Sequence, residues 1–292
     1  MKTTARYRFI RIFFLSASIL LLLVSSPLFL ISAAYLQIAM LGLIATVGLS
    51  HGSLDWLLAR HWGLRSTWWQ SFFFLLAYSL VVLVGLLIWW LNPTVGLVIF
   101  LLMSVTHFAS DWQNELHGLM AYSAGLAVVA LPTLFFQQEV VDLFSLLVGV
   151  KSAIYLTVLL RNAGIIAVTV VLMQVVKEVY CKSNYWLALE LITLIILGLT
   201  LQPILYFSMY FCFLHGLKHY KSMQEIGLYT QFYKVIFSAA WPTLVCLIIG
   251  LLTYQYTSQL KYNTDYIPII FIGLAALSIP HWLLLEIYPK TR

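Results

Sequence analysis

The sequence predicts an all-α, polytopic transmembrane helical bundle of about ten spans, and three observations carry that prediction. Of 292 residues, 62% are hydrophobic and 9% charged, where a soluble domain carries roughly 25% charged residues. Mean hydropathy is +0.96. Apolar runs of about 20 residues recur along the chain, each long enough to cross a hydrocarbon core of ~30 Å as a helix. A β-barrel would show alternating segments of about 10 residues instead. With no low-complexity tract and no long linker, residues 1–292 read as a single integral membrane domain.

The first span, about 12–31, follows the basic residues Lys2, Arg6, Arg8 and Arg11. The "SAA" at 32–34 resembles a signal-peptidase site. The run nevertheless exceeds the usual signal h-region of about 7 to 15 residues, so a retained first helix is expected. Spans two to five cover about 36–58, 71–91, 94–112 and 116–136, with Asn92-Pro93 as the turn between the third and fourth. Spans six to ten cover about 152–176, 185–202, 204–221, 234–254 and 267–288, and Gln202-Pro203 separates the seventh from the eighth. The least regular stretch is 137–183: Arg161 falls within an apolar segment, and 140–150 has room for a re-entrant or extra helix.

Ten spans place both termini in the cytoplasm. The cytoplasmic loops then hold Arg60, Arg65, Lys177, Lys182, Lys218, Lys221 and Lys234, with Lys290 and Arg292 on the same side and Lys261 as the exception. That pattern satisfies the positive-inside rule. The net charge of +6 is therefore scattered at span ends, as topology markers and not as a nucleic-acid footprint. Cys181, Cys212 and Cys246 lack metal spacing and read as packed thiols.

Against this apolar background two segments repeat one another: "HGSLDWLLARH" at 51–61 and "HFASDWQNELH" at 107–117. A third, "FLHGLKHY" at 213–220, keeps the frame of histidine, a partner at +4 and then an aromatic residue. In the ten-span layout His51, His107, His215 and His219 fall at one depth, and His281, after the helix-opening Pro280, lies in the same half. Ionisable groups inside a bilayer are costly unless they face the bundle interior with partners. Residues i and i+4 share a helix face about 6 Å apart. His51 and Asp55 therefore point into one space, as do His107 and Asp111, and His215 and His219.

A lone membrane histidine is more often a helix–helix hydrogen-bonding group than a ligand. Four at one depth, two followed by Asp at +4, favour a site. Neutral imidazoles suit iron, zinc or copper, so one metal bound by His51, His107, His215 and His219 is the simplest reading. Asp55 and Asp111 could orient the imidazoles or ligate directly, and His281 is a further supporting candidate. His61 and His117, about 15 Å further along their helices, are set aside. Trp56, Phe108, Trp112, Tyr210 and Tyr220 are candidates to line an apolar substrate channel, and Lys218 is expected to snorkel to the interface. A haem pattern, an eight-histidine di-iron pattern and a zinc-protease HExxH are each absent from the sequence.

At "HGSLDW", "THFASDW", "FLHGLKH" and "IPH" the chain resembles the Brp/Blh family of membrane-bound β-carotene dioxygenases. The resemblance implies Fe(II)-dependent cleavage of the central double bond of β-carotene by O2, giving two retinal molecules. It places the iron on His51, His107, His215 and His219. It also implies an integral protein of the prokaryotic plasma membrane, in contact with membrane lipid and functionally linked to a rhodopsin. Two other classes share these features. One is a membrane metalloenzyme oxidising another lipid or an apocarotenoid. The other is a proton-coupled transporter with a His/Asp relay, which would spread its polar residues through the bilayer depth.

Overall fold

The computed structural model describes residues 7–26, 32–48, 52–225, 227, 232–259 and 266–287. His51 lies outside the described residues, as do Lys2, Arg6, Lys261, Lys290, Arg292 and the end of the expected first span at 27–31. The described residues are mainly helical, with no strand.

In chain order the helices are α1 (Arg8–Val24), α2 (Ala33–Leu43), α3 (Asp55–His61), α4 (Trp68–Leu91), α5 (Pro93–Ala109), α6 (Leu119–Phe135), α7 (Gln137–Val148) and α8 (Val150–Tyr180). They continue as α9 (Tyr185–Thr200), α10 (Pro203–Tyr210), α11 (Gly216–Glu225), α12 (Phe232–Gln259) and α13 (Tyr266–Ile287). Thr67 starts α4 with a reciprocal capping box to Gln70, and Asn184 caps α9 by accepting from the Leu187 amide. Pro93 and Pro203 open α5 and α10, where the missing N–H has no partner to lose.

The expected ten spans are not upheld. Among the described residues five helices are long and apolar enough to cross a membrane: Trp68–Leu91, Pro93–Trp112, Val150–Tyr180, Ala240–Thr257 and Tyr266–Glu286. A sixth appears if α6 and α7, bent by 108° at their junction, count as one broken span. That bend realises the irregular helix expected near 140–150. The loop sidedness built on ten spans falls with the count. The physical reason lies in the motif-bearing runs. The second expected span divides into α2, a π turn at Ile44–Gly48 and the short α3. The seventh is only 16 residues long, about 24 Å at 1.5 Å per residue. The eighth is helical from α10 through a π turn, Phe211–His215, into α11, but α11 (GLKHYKSMQE) is polar.

The chain divides into two compact units. The first contains Met1–Ile44, Ser104–Ser145 and Gly149–His219, and the second contains Ala45–Met103, Leu146–Val148 and Tyr220–Arg292. In the first, α8 and α9 pack on α6, and α1 packs on α9 and on the 211–215 π turn. Small residues permit the closeness: a Cβ on Gly164 would come within 2.6 Å of Ala130 Cβ. In the second unit α13 packs on α4 and α12. Only 6% of the apolar window of α4 is buried, so most of its large side chains face the surroundings, as they would face lipid. Cys212 is buried and Cys246 partly covered, whereas Cys181 is exposed at the end of α8, contrary to the expectation of a packed thiol.

Candidate metal centre

Both histidine-bearing helices of the first unit depart from regular α geometry at the histidines. After His107, α5 tightens into a 3-10 turn, Ser110–Trp112, which carries Asp111. His215 closes the π turn that leads into α11. Such irregularities re-aim side chains and concentrate at functional sites. The ring centroids of His107 and His215 are 4.7 Å apart, and those of His215 and His219 are 6.4 Å apart with planes inclined by 20°. The second pair is the expected i,i+4 alignment. The Nε2 atoms of all three rings are buried.

Each aspartate meets a histidine from a distant part of the chain. Asp111 meets the ring of His215, with Nδ1 at 3.1 Å from Oδ1 and 3.2 Å from Oδ2, and accepts the Tyr210 hydroxyl at 2.7 Å. A carboxylate on Nδ1 holds the proton there, leaving the Nε2 lone pair for a metal and making it more basic. The second unit repeats the device. Asp55 Oδ1 lies 2.7 Å from His281 Nδ1, and Asp55 Oδ2 accepts the Tyr78 hydroxyl at 2.9 Å. Spacing along one helix could not find these pairs, because they join residues 104 and 226 positions apart.

The aromatic candidates are distributed differently. Phe108 stands edge-on to His215 at 5.0 Å and to Tyr210 at 4.9 Å. Trp112 and Tyr210 are fully buried and stacked at 6.2 Å, and both polar tips donate hydrogen bonds. In the second unit Trp56 lies edge-on to Trp241, with the Arg65 guanidinium 3.5 Å above its ring. Tyr220 packs against the cluster of Leu54, Leu58, Met223 and Leu284. A small apolar cleft in that unit is lined by Gly85, Trp89, Gly96, Phe100 and Ile279 among others, and none of the five aromatic candidates belongs to its lining. His61 and His117 are exposed.

Lys218 corrects an expectation: it does not snorkel. Only 3% of its side chain is exposed, and Nζ donates to Glu190 Oε1 at 2.6 Å and to the Asp111 carbonyl at 3.2 Å. Sequence reasoning passed over Glu190, Glu115 and the placement of Arg11. The available signal was a charged residue inside each of three apolar or membrane-adjacent runs.

Two buried imidazoles and the half-buried one of His107, with His215 oriented by a carboxylate, are of a donor type suited to iron, zinc or copper. Among the described residues no group of three or more His, Cys, Asp or Glu closes on a common metal position; His51 is outside them. Helices long and apolar enough to cross a membrane, two of them carrying members of carboxylate–imidazole pairs, mark the class as a helical membrane protein with imidazoles held in its interior.

Residues 42–288 match the beta-carotene 15,15'-dioxygenase family, and the chain belongs to it. One relative, a beta-carotene 15,15'-dioxygenase from uncultured marine bacterium 66A03, is 30% identical over 266 residues, covering 84% of this chain and 91% of the relative. No solved structure matches the chain.

Proposed function

We propose that this chain cleaves β-carotene with O2 at its central double bond, giving two retinal molecules, at a mononuclear iron held by His51, His107, His215 and His219. The single observation that supports the site assignment is the imidazole cluster of His107, His215 and His219 with Asp111 on His215, inside a chain of the dioxygenase family. The reaction balances with one oxygen atom delivered to each new aldehyde. Iron, when bound, supplies the activation of O2 that the spin-paired polyene cannot achieve alone.

The protein's own residues orient and exclude. Asp111 and Tyr210 fix the ring of His215 so that Nε2 is presented. Phe108 walls that ring with apolar surface. The burial of the three Nε2 atoms keeps bulk water from reactive intermediates. A polyene dissolved in the bilayer offers no hydrogen-bond handle, so shape and length select it, and holding the scissile bond in place is positioning catalysis. The setting is a prokaryotic plasma membrane, where substrate enters from lipid and a rhodopsin takes up the retinal.

The test is expression in a β-carotene-producing bacterium, with pigment extracts resolved by chromatography. Retinal should form with the unmutated chain and not with His215→Ala present in the membrane at equal level. Undiminished retinal from the variant would overturn the site assignment. Intact β-carotene with the unmutated, iron-supplied protein would overturn the reaction.

A further inference from the structure

Beside the imidazole cluster, inside the first unit, lie four charged side chains that bond to one another: Arg11, Glu115, Glu190 and Lys218. Their side chains are at most 4% exposed. Two cations and two anions neutralise one another there, as buried charges must.

Their connections are directional. Arg11 Nε donates to Glu190 Oε2 at 2.7 Å, and its two terminal nitrogens fork onto the Glu115 carboxylate. The other oxygen of Glu190, Oε1, accepts from Lys218 Nζ at 2.6 Å and from Trp112 Nε1 at 2.7 Å. Lys218 also donates to the Asp111 carbonyl. Lys218 precedes His219, and Trp112 follows Asp111, the carboxylate on His215. Glu190 therefore grips both sides of the histidine centre through one oxygen and is itself held by Arg11 through the other.

A separate set of contacts ties α1 to the same place. Phe13 stacks on Phe213 in the π turn, with centroids 6.1 Å apart, and Asn114 donates to the Tyr7 hydroxyl at 3.3 Å. Yet α1 lies wholly outside residues 42–288, the part of the chain that matches the family.

We propose that Arg11 is a positioning residue of the metal centre, acting through Glu190 on Lys218 and Trp112, and so on the Asp111 turn that sets the ring of His215. α1 is then a working part of the site. The proposal rests on the reading of His215 as a ligand. Loss of Arg11 frees Glu190 to rotate and leaves Glu115 without its forked partner, so the Asp111 turn loosens and His215 no longer meets the metal at a fixed angle.

The experiment uses the full chain in detergent, stripped of metal and titrated with Co(II), whose visible absorption reports the ligand set. The main variant is Arg11→Met/Glu115→Gln, which removes one charge of each sign and leaves the Glu190–Lys218 pair neutral. It should keep wild-type helicity and elution volume, bind Co(II) about tenfold or more weakly, as loss of an orienting partner typically causes, and lose kcat at unchanged KM for β-carotene. Arg11→Lys should restore part of the affinity, since an ammonium can meet one carboxylate but cannot fork between two.

Wild-type Co(II) affinity in the double variant, beside a His215→Ala control that has lost it, overturns the proposal alone. Failure of both the double variant and Arg11→Lys to fold makes Arg11 a residue of the fold, and the proposal falls. Undiminished Co(II) binding by His215→Ala removes the ligand assignment itself, and the positioning role with it.

Discussion

The two units contain the same three-residue device in different surroundings. In the first, Tyr210 and His215 meet on Asp111; in the second, Tyr78 and His281 meet on Asp55. The distances are similar, and each aspartate accepts a phenol on one side and faces an imidazole Nδ1 on the other. The settings differ. His215 stands among the rings of His107, His219, Phe108 and Phe211, over the buried ion network of Arg11, Glu190 and Lys218. Asp55 and His281 belong to segments whose neighbours Leu54, Leu58 and Leu284 form an apolar cluster with Met223. The bracing of an imidazole is thus a reusable local solution, and its function depends on what gathers around the braced ring. In the first unit that gathering is further imidazole.

The largest expected effect separates the two. His215→Ala should remove bound metal and cleavage together, whereas His281→Ala should leave a measurable fraction of both. Metal content per chain, measured by elemental analysis on matched preparations, gives the comparison. Equal and complete loss in both variants would show that the triads contribute alike to one centre.

Next come the carboxylates. Asp111→Asn keeps the shape and an acceptor oxygen but removes the charge that makes His215 a stronger donor. A fall of about 10- to 100-fold in metal affinity is expected, the usual consequence of losing such a partner. Asp55→Asn should cost less. An Asp55 variant that binds metal more weakly than the Asp111 variant would reverse the ranking.

Much of this arrangement was legible in the sequence, and the misses have physical causes. Apolar content and run length announced a helical membrane protein, because lipid leaves few other ways to satisfy a backbone. The histidines stood out because charge and imidazole are costly in that setting. The span count failed since apolarity says nothing about π turns, a 108° bend or the polar face of α11. The partners of Asp55 and Asp111 lay beyond the sequence pattern for a related reason. Helical spacing sees only neighbours on one helix, and His215 and His281 reach their aspartates from other elements. Lys218 was misplaced because its partner Glu190 sits in a different apolar run, where a single sequence gives no hint of contact.

Two glycines sharpen the comparison at a smaller scale. A Cβ on Gly125 would run into the Val105 carbonyl oxygen and lie 2.8 Å from the Ala109 nitrogen, both backbone atoms of the helix carrying His107. A Cβ on Gly85 would meet the tip of Ile279 at 2.8 Å and Ala276 Cα at 3.3 Å, on the helix carrying His281. A side-chain tip can turn aside, while a backbone cannot without moving the turn. Gly125→Ala should therefore destabilise by roughly 1–3 kcal/mol, and Gly85→Ala by less. Thermal unfolding in one detergent measures both, and an equal shift would mean that α5 yields as easily as a rotamer.

The smallest changes remove a single oxygen. Tyr210→Phe deletes the phenol that shares Asp111 with His215, and Tyr78→Phe does the same at Asp55. A hydrogen bond to a charged group contributes about 1.5–3 kcal/mol, but each aspartate keeps its imidazole, and Asp111 also sits on the backbone held by Lys218. Tyr210→Phe should therefore weaken metal binding only a few-fold, less than Asp111→Asn, with the ring stack on Trp112 preserved. Tyr78→Phe should leave metal affinity nearly unchanged. The instructive result is the double variant Asp111→Asn/Tyr210→Phe, titrated with Co(II) beside the two single variants. If the phenol acts only by holding the carboxylate, the double should bind no more weakly than Asp111→Asn alone. Additive losses would instead mean that the Tyr210 hydroxyl supports the imidazole by a route that does not pass through the Asp111 carboxylate, and the equivalence of the two triads would then fail at the tyrosine.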